Sequence, residues 1–369
     1  MSLILAIRRI LTETAAARRP EVPNSAACLG WKKIAVTGFL VMLWGSSVAA
    51  EELQTTRIAL TREATAGALF VAVAAGYFKT EGLDPQLAFL ESDATVSGAV
   101  AAGRDDIGLV SLSAAFYGFA STHGLKMIAS RSSDKAGFPM YALLISKKAH
   151  AAGFSDVRGL PHARIGVAGT DSSAYYALFA VASRFRLDPA SINAIVLASR
   201  AGEIEALSRG EVDAALLPIG TALHSARQGD WLLHLSDFAE WQQGVVFTTA
   251  EEITTKRRLI ERFMRAYQRG AGEYELNFLR YDDAGNFIPG PHYAQYVDVI
   301  ASEAQVPRDT VVKTKSYCDR RANLDSADIE NQVRFWQAHG RLDNSVAAGE
   351  LTDLSFIGEE AVAPQPTGH

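Results

Sequence analysis

Short apolar runs alternate along this chain with longer stretches in which apolar and small residues recur every three or four positions. The runs at 57–60 and 86–90 have the length and apolar content of buried strands, and residues 66–78 between them have helical spacing. Residues 94–102 predict a second helix, which ends at Gly103 because glycine readily adopts the backbone conformation of a helix C-cap. This succession of strand and helix predicts an α/β architecture.

The alternation continues to residue 248 and then gives way to helix. Further strands are predicted at 107–110, 126–130, 141–146, 164–168, 194–197, 214–217 and 245–248, with helices at 112–120, 172–185 and 202–208. Residues 250–278 and 291–340 look wholly helical. Within them, the helix 325–339 carries a core stripe of Ile329, Val333 and Trp336.

This order of elements predicts an α/β fold of two lobes, each built on a doubly wound, mainly parallel sheet with right-handed crossovers. We expect lobe 1 at 53–145 plus 243–358 and lobe 2 at 146–242, joined by two extended crossings. Residues 359–369 include two prolines and predict a disordered tail.

The first fifty residues predict a leader with a signal peptide. Lys32 and Lys33 precede the apolar run 34–44 and the small-residue stretch 45–50, which is the order of a signal peptide cut before Glu51. A membrane anchor is the alternative, but roughly 15 apolar or small residues fall short of the 20 or so that span a bilayer. We therefore expect a periplasmic mature protein.

Charge and composition exclude several functions for the mature chain. Of the 36 Lys and Arg and 41 Asp and Glu residues, six and two precede Glu51, which leaves a net charge of about −9. This acidic balance gives no support to nucleic-acid binding. Only Cys318 remains after cleavage, so no internal disulfide is expected, and the histidines lack metal-ligand spacing. We expect no metal, no cofactor and no catalytic residue.

Five segments carry a family resemblance. The segment 72–84, AVAAGYFKTEGLD, resembles the A-x-x-x-G-Y-F-x-x-E-G-L-D signature of solute-binding proteins of nitrate, sulfonate and taurine ABC transporters, which are related to thiamine-pyrimidine-precursor binding proteins. The segments 101–108, 166–173, 206–218 and 332–340 are similar to other motifs of this family, in the family's order. The resemblance covers nearly all of residues 56–357.

The resemblance implies a two-lobed periplasmic binding protein fold of type II. It also implies a monomeric, non-catalytic protein that captures a small anionic or aromatic organic solute and delivers it to an ABC permease with its ATPase. Two alternatives stay open. One is an enzyme similar to the thiamine-pyrimidine synthase, although that enzyme carries a cysteine-rich motif that this chain lacks. The other is a sensory module that binds a ligand without transport.

Loops at the carboxyl ends of the strands supply the candidate ligand contacts, because ligands of open α/β sheets bind there. Serines and arginines could bond an anion, Tyr175 could cover a planar ligand, and the turn before the helix 172–185 offers unpaired N–H groups. The candidates are Arg62, Ser111, Ser113, Arg131, Gly169, Thr170, Ser172, Ser173, Tyr175, Pro218 and Thr221.

Each candidate has a structural alternative. Serines before a helix commonly cap it, and Ser172 or Asp171 could satisfy the N–H groups of its own turn. Tyr175 could pack in the core instead. Arg62 and Arg131 follow the ends of two different strands and compete for the same role, and the sequence does not choose between them.

Overall fold

The computed structural model describes residues 52–197, 199–228 and 230–357. The predicted leader and the predicted tail lie outside these ranges. Among the described residues, no helix has both the length and the apolar content that a membrane span requires.

The described residues form two five-stranded sheets with helices packed on them. The strands are β1 (Gln54–Leu60), β2 (Leu83–Phe89), β3 (Ile107–Ser111), β4 (Leu125–Asp134), β5 (Tyr141–Ile145), β6 (Arg164–Val167), β7 (Asn193–Val196), β8 (Ala214–Pro218), β9 (Trp231–His234) and β10 (Trp241–Thr249). The helices are α1 (Gly67–Ala74), α2 (Tyr77–Thr80), α3 (Asp93–Ala101), α4 (Ala114–His123), α5 (Lys147–Ala151), α6 (Ser173–Arg184), α7 (Arg200–Arg209), α8 (Ile219–Ser225), α9 (Ala250–Thr255), α10 (Arg257–Phe278), α11 (Tyr293–Ala304), α12 (Arg308–Lys313) and α13 (Ser326–Ala338).

Sheet 1, the sheet of lobe 1, has the strand order β2-β1-β3-β10-β4. β1 pairs in parallel with β2 and β3, whereas β10 lies antiparallel between β3 and β4. Leu60 at the end of β1 lies opposite Leu109 of β3. The loops that follow these two strands therefore leave the sheet at the same edge, as expected for parallel β-α-β units.

Sheet 2, the sheet of lobe 2, has the order β7-β6-β8-β5-β9 and repeats the same pattern. β6 pairs in parallel with β7 and β8, and β5 lies antiparallel between β8 and β9. The prediction of an α/β fold with two sheet-based lobes is confirmed. The expectation that each sheet is mainly parallel is wrong: both sheets are evenly mixed, because two of the four pairings in each are antiparallel.

The strand Tyr141–Ile145 belongs to lobe 2, although the sequence placed it in lobe 1. Its residues pair with β8, from Tyr141 opposite Pro218 onward, and with β9 on the other side. The first crossing therefore lies at 135–140, between β4 and β5. Apolar pattern alone did not reveal this, because β5 is equally buried in either sheet. The strand β9 was not predicted; it is a four-residue edge strand with a half-exposed tryptophan.

The region 291–340, expected to be wholly helical, consists of the helices α11, α12 and α13, and residues 314–325 between the last two form no helix. This segment runs beside β4, whose Ser130 and Ser133 N–H groups donate to the carbonyls of Ala322 and Tyr317 at 2.8 and 3.0 Å. An edge strand needs acceptors for its outward N–H groups, and extended chain supplies them where a helix cannot. The predicted stripe of α13 is confirmed, since Ile329, Val333 and Trp336 are all buried.

Candidate functional site

A cavity of about 860 Å³ lies between the two sheets. Lobe 1 contributes the turn after β1, the end of β3 and the start of β10, while lobe 2 contributes the start of β5 and the helices α7 and α8; α12 closes a further side. The residues that line the cavity include Arg62, Glu63, Thr65, Ser111, Tyr141, Arg200, Pro218, Thr221, Gln243, Asp309 and Lys313. Both lobes thus present polar groups to one volume.

The lobe 1 side of the cavity is a hydrogen-bonded group centred on Ser111. Nη2 of Arg131 donates to Oγ of Ser111 at 2.9 Å and to Oε1 of Gln243 at 3.2 Å. Nε2 of Gln243 lies 3.2 Å from the same Oγ, and Oε1 of Gln243 also accepts from Oγ of Ser132 at 2.8 Å. These contacts fix the hydroxyl of Ser111 and the amide of Gln243 at the cavity wall.

Arg131 is a cation buried behind this wall, with 1% of its surface exposed. Its Nη1 lies 3.5 Å from Oε2 of Glu63, a carboxylate whose side chain is 43% exposed. Thr65 donates a hydrogen bond of 3.1 Å to the same oxygen. Gly244 makes room for the guanidinium, because a Cβ atom at that position would lie 2.5 Å from Nε of Arg131.

Arg62 lines the cavity but is held by other groups of lobe 1. Its Nη1 donates to the carbonyl of Glu303 at 2.8 Å, and its guanidinium carbon lies 3.7 Å from the centre of the Phe89 ring. The hydrogen bond and the cation–π contact both draw the charge away from the cavity centre.

The lobe 2 side of the cavity carries Arg200 on the first turn of α7. Arg200 has no ion pair or hydrogen bond to any residue in the described ranges, whereas Lys313 pairs with Asp309 at 2.7 Å. Tyr141 lies nearby: burial, and next the charge of Glu63, raise the pKa of its phenol, while the charge of Arg200 opposes them. Burial raises the pKa of Glu203 in the same helix, and the charge of Arg200 opposes that shift. A positive group without a salt bridge in the described ranges therefore faces the buried group of lobe 1.

Four of the sequence candidates line the cavity, namely Arg62, Ser111, Pro218 and Thr221. Arg131 lies directly behind Ser111. The remaining candidates, Ser113, Gly169, Thr170, Ser172, Ser173 and Tyr175, are not among the lining residues.

The turn at 169–173 bonds to lobe 1 instead of opening into the cavity. The N–H of Ala114 donates to the carbonyl of Asp171 at 2.9 Å, and the N–H of Ser173 donates to the carbonyl of Leu112 at 3.3 Å. Thr170 accepts a hydrogen bond of 2.9 Å from Nη2 of Arg341. The two lobes are in direct contact here, so these groups have partners within the protein.

Ser113 and Ser172 cap helices, and Tyr175 packs against another aromatic ring. These are the structural roles given above as alternatives to ligand contact. The hydroxyls of Ser113 and Ser172 accept from the N–H groups of Phe116 and Tyr175, which caps α4 and α6. The ring of Tyr175 packs 4.9 Å from that of Phe179 in an aromatic cluster.

Tyr141, Arg200 and Gln243 are among the lining residues that are absent from the sequence candidates. Gln243 gave a weak signal, because two glutamines precede the apolar part of β10 where a buried strand normally has apolar residues. Arg200 gave none, since an arginine at a helix start is ordinary. Tyr141 was assigned to the wrong lobe, which hid its position opposite Glu63.

A second polar group links lobe 2 to the helix α13 and to β10. The hydroxyl of Tyr176 in α6 donates to Oδ1 of Asp328 at 2.7 Å. Oδ2 of Asp328 accepts from the N–H of Gln242 and from Nε2 of Gln332, both at 2.8 Å. Burial raises the pKa of Asp328 to about 6 despite these donors. These hydrogen bonds therefore join α6 of lobe 2 to β10 and α13 of lobe 1.

Comparison with known proteins identifies relatives of this fold. A family model described as NMT1/THI5 like matches residues 64–275. No curated protein matches the chain. The periplasmic aliphatic sulphonate-binding protein SsuA from Escherichia coli is 12% identical with a TM-score of 0.62, and the match covers 81% of this chain and 97% of that one.

Two further structures show the breadth of these relatives. The periplasmic nitrate-binding protein NrtA from Synechocystis PCC 6803 is 10% identical with a TM-score of 0.53, over 80% of this chain and 84% of that one. The desulfurization enzyme DSZB is 12% identical with a TM-score of 0.55, over 82% of this chain and 97% of that one. These similarities confirm the two-lobed periplasmic binding protein fold.

Proposed function

Because the chain belongs to the NMT1/THI5-like family, we propose that it is the substrate-binding component of an ABC importer, which captures a small organic solute between its lobes. The observation that carries this proposal is the cavity of about 860 Å³ with polar groups from both lobes. Ligand pockets commonly have volumes of about 300–1,000 Å³ and a few polar groups that orient the ligand.

The charges around the cavity favour an anionic solute. Arg200 on lobe 2 lines the cavity and forms no salt bridge in the described ranges, and Arg131 lies behind the wall of lobe 1. Asp309 is neutralised by Lys313 at 2.7 Å. A carboxylate or sulfonate is therefore the preferred ligand group, and the ring of Tyr141 at the wall is compatible with an aromatic body.

A ligand that touches both lobes stabilises the closed form through its differential affinity. The closed form then docks on a membrane permease, which is served by an ATPase. The mature chain acts in the periplasm as a monomer, after removal of the predicted signal peptide.

A thermal-shift screen of the mature protein with sulfonates, aromatic carboxylates, nitrate, flavins and pyrimidines tests the proposal. We expect one class to raise the melting temperature and to compact the molecule in small-angle scattering. Arg200→Gln should weaken that ligand about 10- to 150-fold, the equivalent of one charged hydrogen bond. The control Arg184→Gln alters an exposed arginine of lobe 2, at the end of α6, that does not line the cavity. Equal affinities of the two variants would contradict the assigned site.

An enzymatic role is the main alternative, because the desulfurization enzyme DSZB has a similar fold. Incubating the protein with its ligand and recovering the ligand by mass spectrometry separates the two roles. We expect unchanged ligand. A converted product would establish catalysis, while binding without any effect on uptake by cells would favour a sensory module.

A further inference from the structure

Two nitrogens of the Arg131 guanidinium lack a hydrogen bond in the described ranges, namely Nε, which is buried, and Nη1, which lies beside the cavity-lining Glu63. Nη2 bonds to Ser111 and Gln243, and Nε lies against the backbone of Gly244. Nη1 makes no hydrogen bond within the described ranges and approaches only the carboxylate of Glu63, at 3.5 Å. That separation is longer than a hydrogen bond of a charged pair, which is about 2.7–2.9 Å.

The two members of this ion pair differ in their freedom to move. Arg131 is 1% exposed and is fixed by two side chains and by the strand beneath it, whereas the side chain of Glu63 is 43% exposed. Only the hydroxyl of Thr65 holds the carboxylate besides Arg131. An exposed glutamate changes rotamer at little cost, whereas the buried arginine cannot follow it.

A buried cation needs a negative partner whether or not a ligand is present, because an uncompensated buried charge is strongly destabilising. In the described ranges, Glu63 is the only carboxylate within ion-pair distance of Arg131. The carboxyl of Asp93 interacts with the same charge from farther away: burial raises its pKa, the charge of Arg131 opposes that shift, and its Oδ2 accepts from the N–H of Ser111 at 3.2 Å. A ligand acid group cannot occupy the same region beside Glu63, since two carboxylates in contact repel each other.

We propose that the carboxylate of Glu63 occupies the subsite of the ligand's acid group, and that a bound carboxylate or sulfonate displaces it to pair with Nη1 of Arg131. The displaced Glu63 turns towards solvent, and Ser111 with Gln243 forms the neutral part of the subsite. This inference rests on the proposed function and deepens it. It assigns the anion to Arg131 instead of Arg62, whose charge is already held by Glu303 and Phe89.

Removing the charge of Glu63 without changing its shape tests the proposal. Glu63→Gln keeps the side-chain size and leaves the guanidinium of Arg131 without a carboxylate at ion-pair distance, while Asp93 is unchanged. The probe is methanesulfonate, which replaces chloride stepwise at constant ionic strength while the melting temperature is recorded. Glu91→Gln is the matched control, because it removes an exposed negative charge from the same end of lobe 1.

We expect Glu63→Gln to respond to methanesulfonate at a concentration about five- to tenfold lower than the wild type needs, the equivalent of removing a competing ion pair of about 1–1.4 kcal/mol. Glu91→Gln should behave as the wild type. Equal responses of all three proteins, including no response, would overturn the inference. They would leave the solute screen, and hence the binding function, unaffected.

A second outcome distinguishes displacement from direct contact. If taurine binds the wild type and Glu63→Gln lowers the affinity for taurine, Glu63 binds the amine of this zwitterion and the displacement model is wrong. If Glu63→Gln raises the affinity for both methanesulfonate and taurine, the carboxylate of Glu63 competes with the acid group of the ligand, as proposed.

Discussion

Asp134 provides the sharpest test of the electrostatics at the crossing between the lobes. It is the last residue of β4, it lies opposite Trp241 of β10, and it is fully buried. Oδ1 accepts from the N–H of Met140 at 3.2 Å, whereas Oδ2 has no hydrogen-bond partner in the described ranges. Burial raises the pKa of this carboxyl from 3.8 to about 8, and the N–H of Met140 opposes the shift only in part.

The raised pKa makes the stability of the folded protein fall as the pH rises. Below the unfolded pKa of 3.8 the carboxyl is protonated in both states and contributes no pH dependence. Between that value and about 8 the folded state keeps a proton that the unfolded state has lost, so folding takes up nearly one proton. The free energy of unfolding then decreases by about 1.4 kcal/mol per pH unit, or about 2.7 kcal/mol from pH 5 to pH 7.

Asp134→Asn removes this dependence, because the amide does not ionise. We expect the stability of the variant relative to the wild type to increase by about 2.7 kcal/mol between pH 5 and pH 7, whatever their difference at pH 5. Urea unfolding at pH 5, 6 and 7, followed by tryptophan fluorescence and circular dichroism, measures this change. Asp283→Asn, at an exposed position, should show a constant difference. A constant difference for Asp134→Asn as well would mean that the buried carboxyl is ionised.

Two further substitutions test the packing and the hydrogen bonds described above. Gly244→Ala introduces a Cβ atom 2.5 Å from the guanidinium beneath it, so we expect a loss of about 1–3 kcal/mol in urea unfolding. Gly98→Ala, at a helical position with open space, should cost nothing or stabilise. Tyr176→Phe leaves Oδ1 of the buried Asp328 without a donor, while Oδ2 keeps its two, and should cost about 1–3 kcal/mol. Tyr175→Phe should have little effect, since its hydroxyl makes no hydrogen bond in the described ranges, and equal losses for both tyrosines would contradict a role for the 2.7 Å bond.

Much of the fold follows from local pattern. The periodicity at 57–60, 66–78 and 86–90 predicted β1, α1 and β2, because the burial of one face repeats with the period of the element itself. Caps are equally local: Ser113 and Ser172 lie where serine hydroxyls satisfy the first N–H groups of a helix. The lobe that contains β5 was not predictable in this way, because a buried strand has the same composition in either sheet.

The binding site depended on contacts between residues far apart in sequence. Glu63 meets Arg131, and Arg131 needs Gly244 above it, so no window of the sequence contains the group. The turn at 169–173 had the right local chemistry for an anion, yet the lobe 1 carbonyl of Leu112 and the N–H of Ala114 were its partners. The spacing of neighbouring residues determines which segments form helices and strands. The partner of a charge or of an N–H group depends instead on which strands lie side by side in the folded protein.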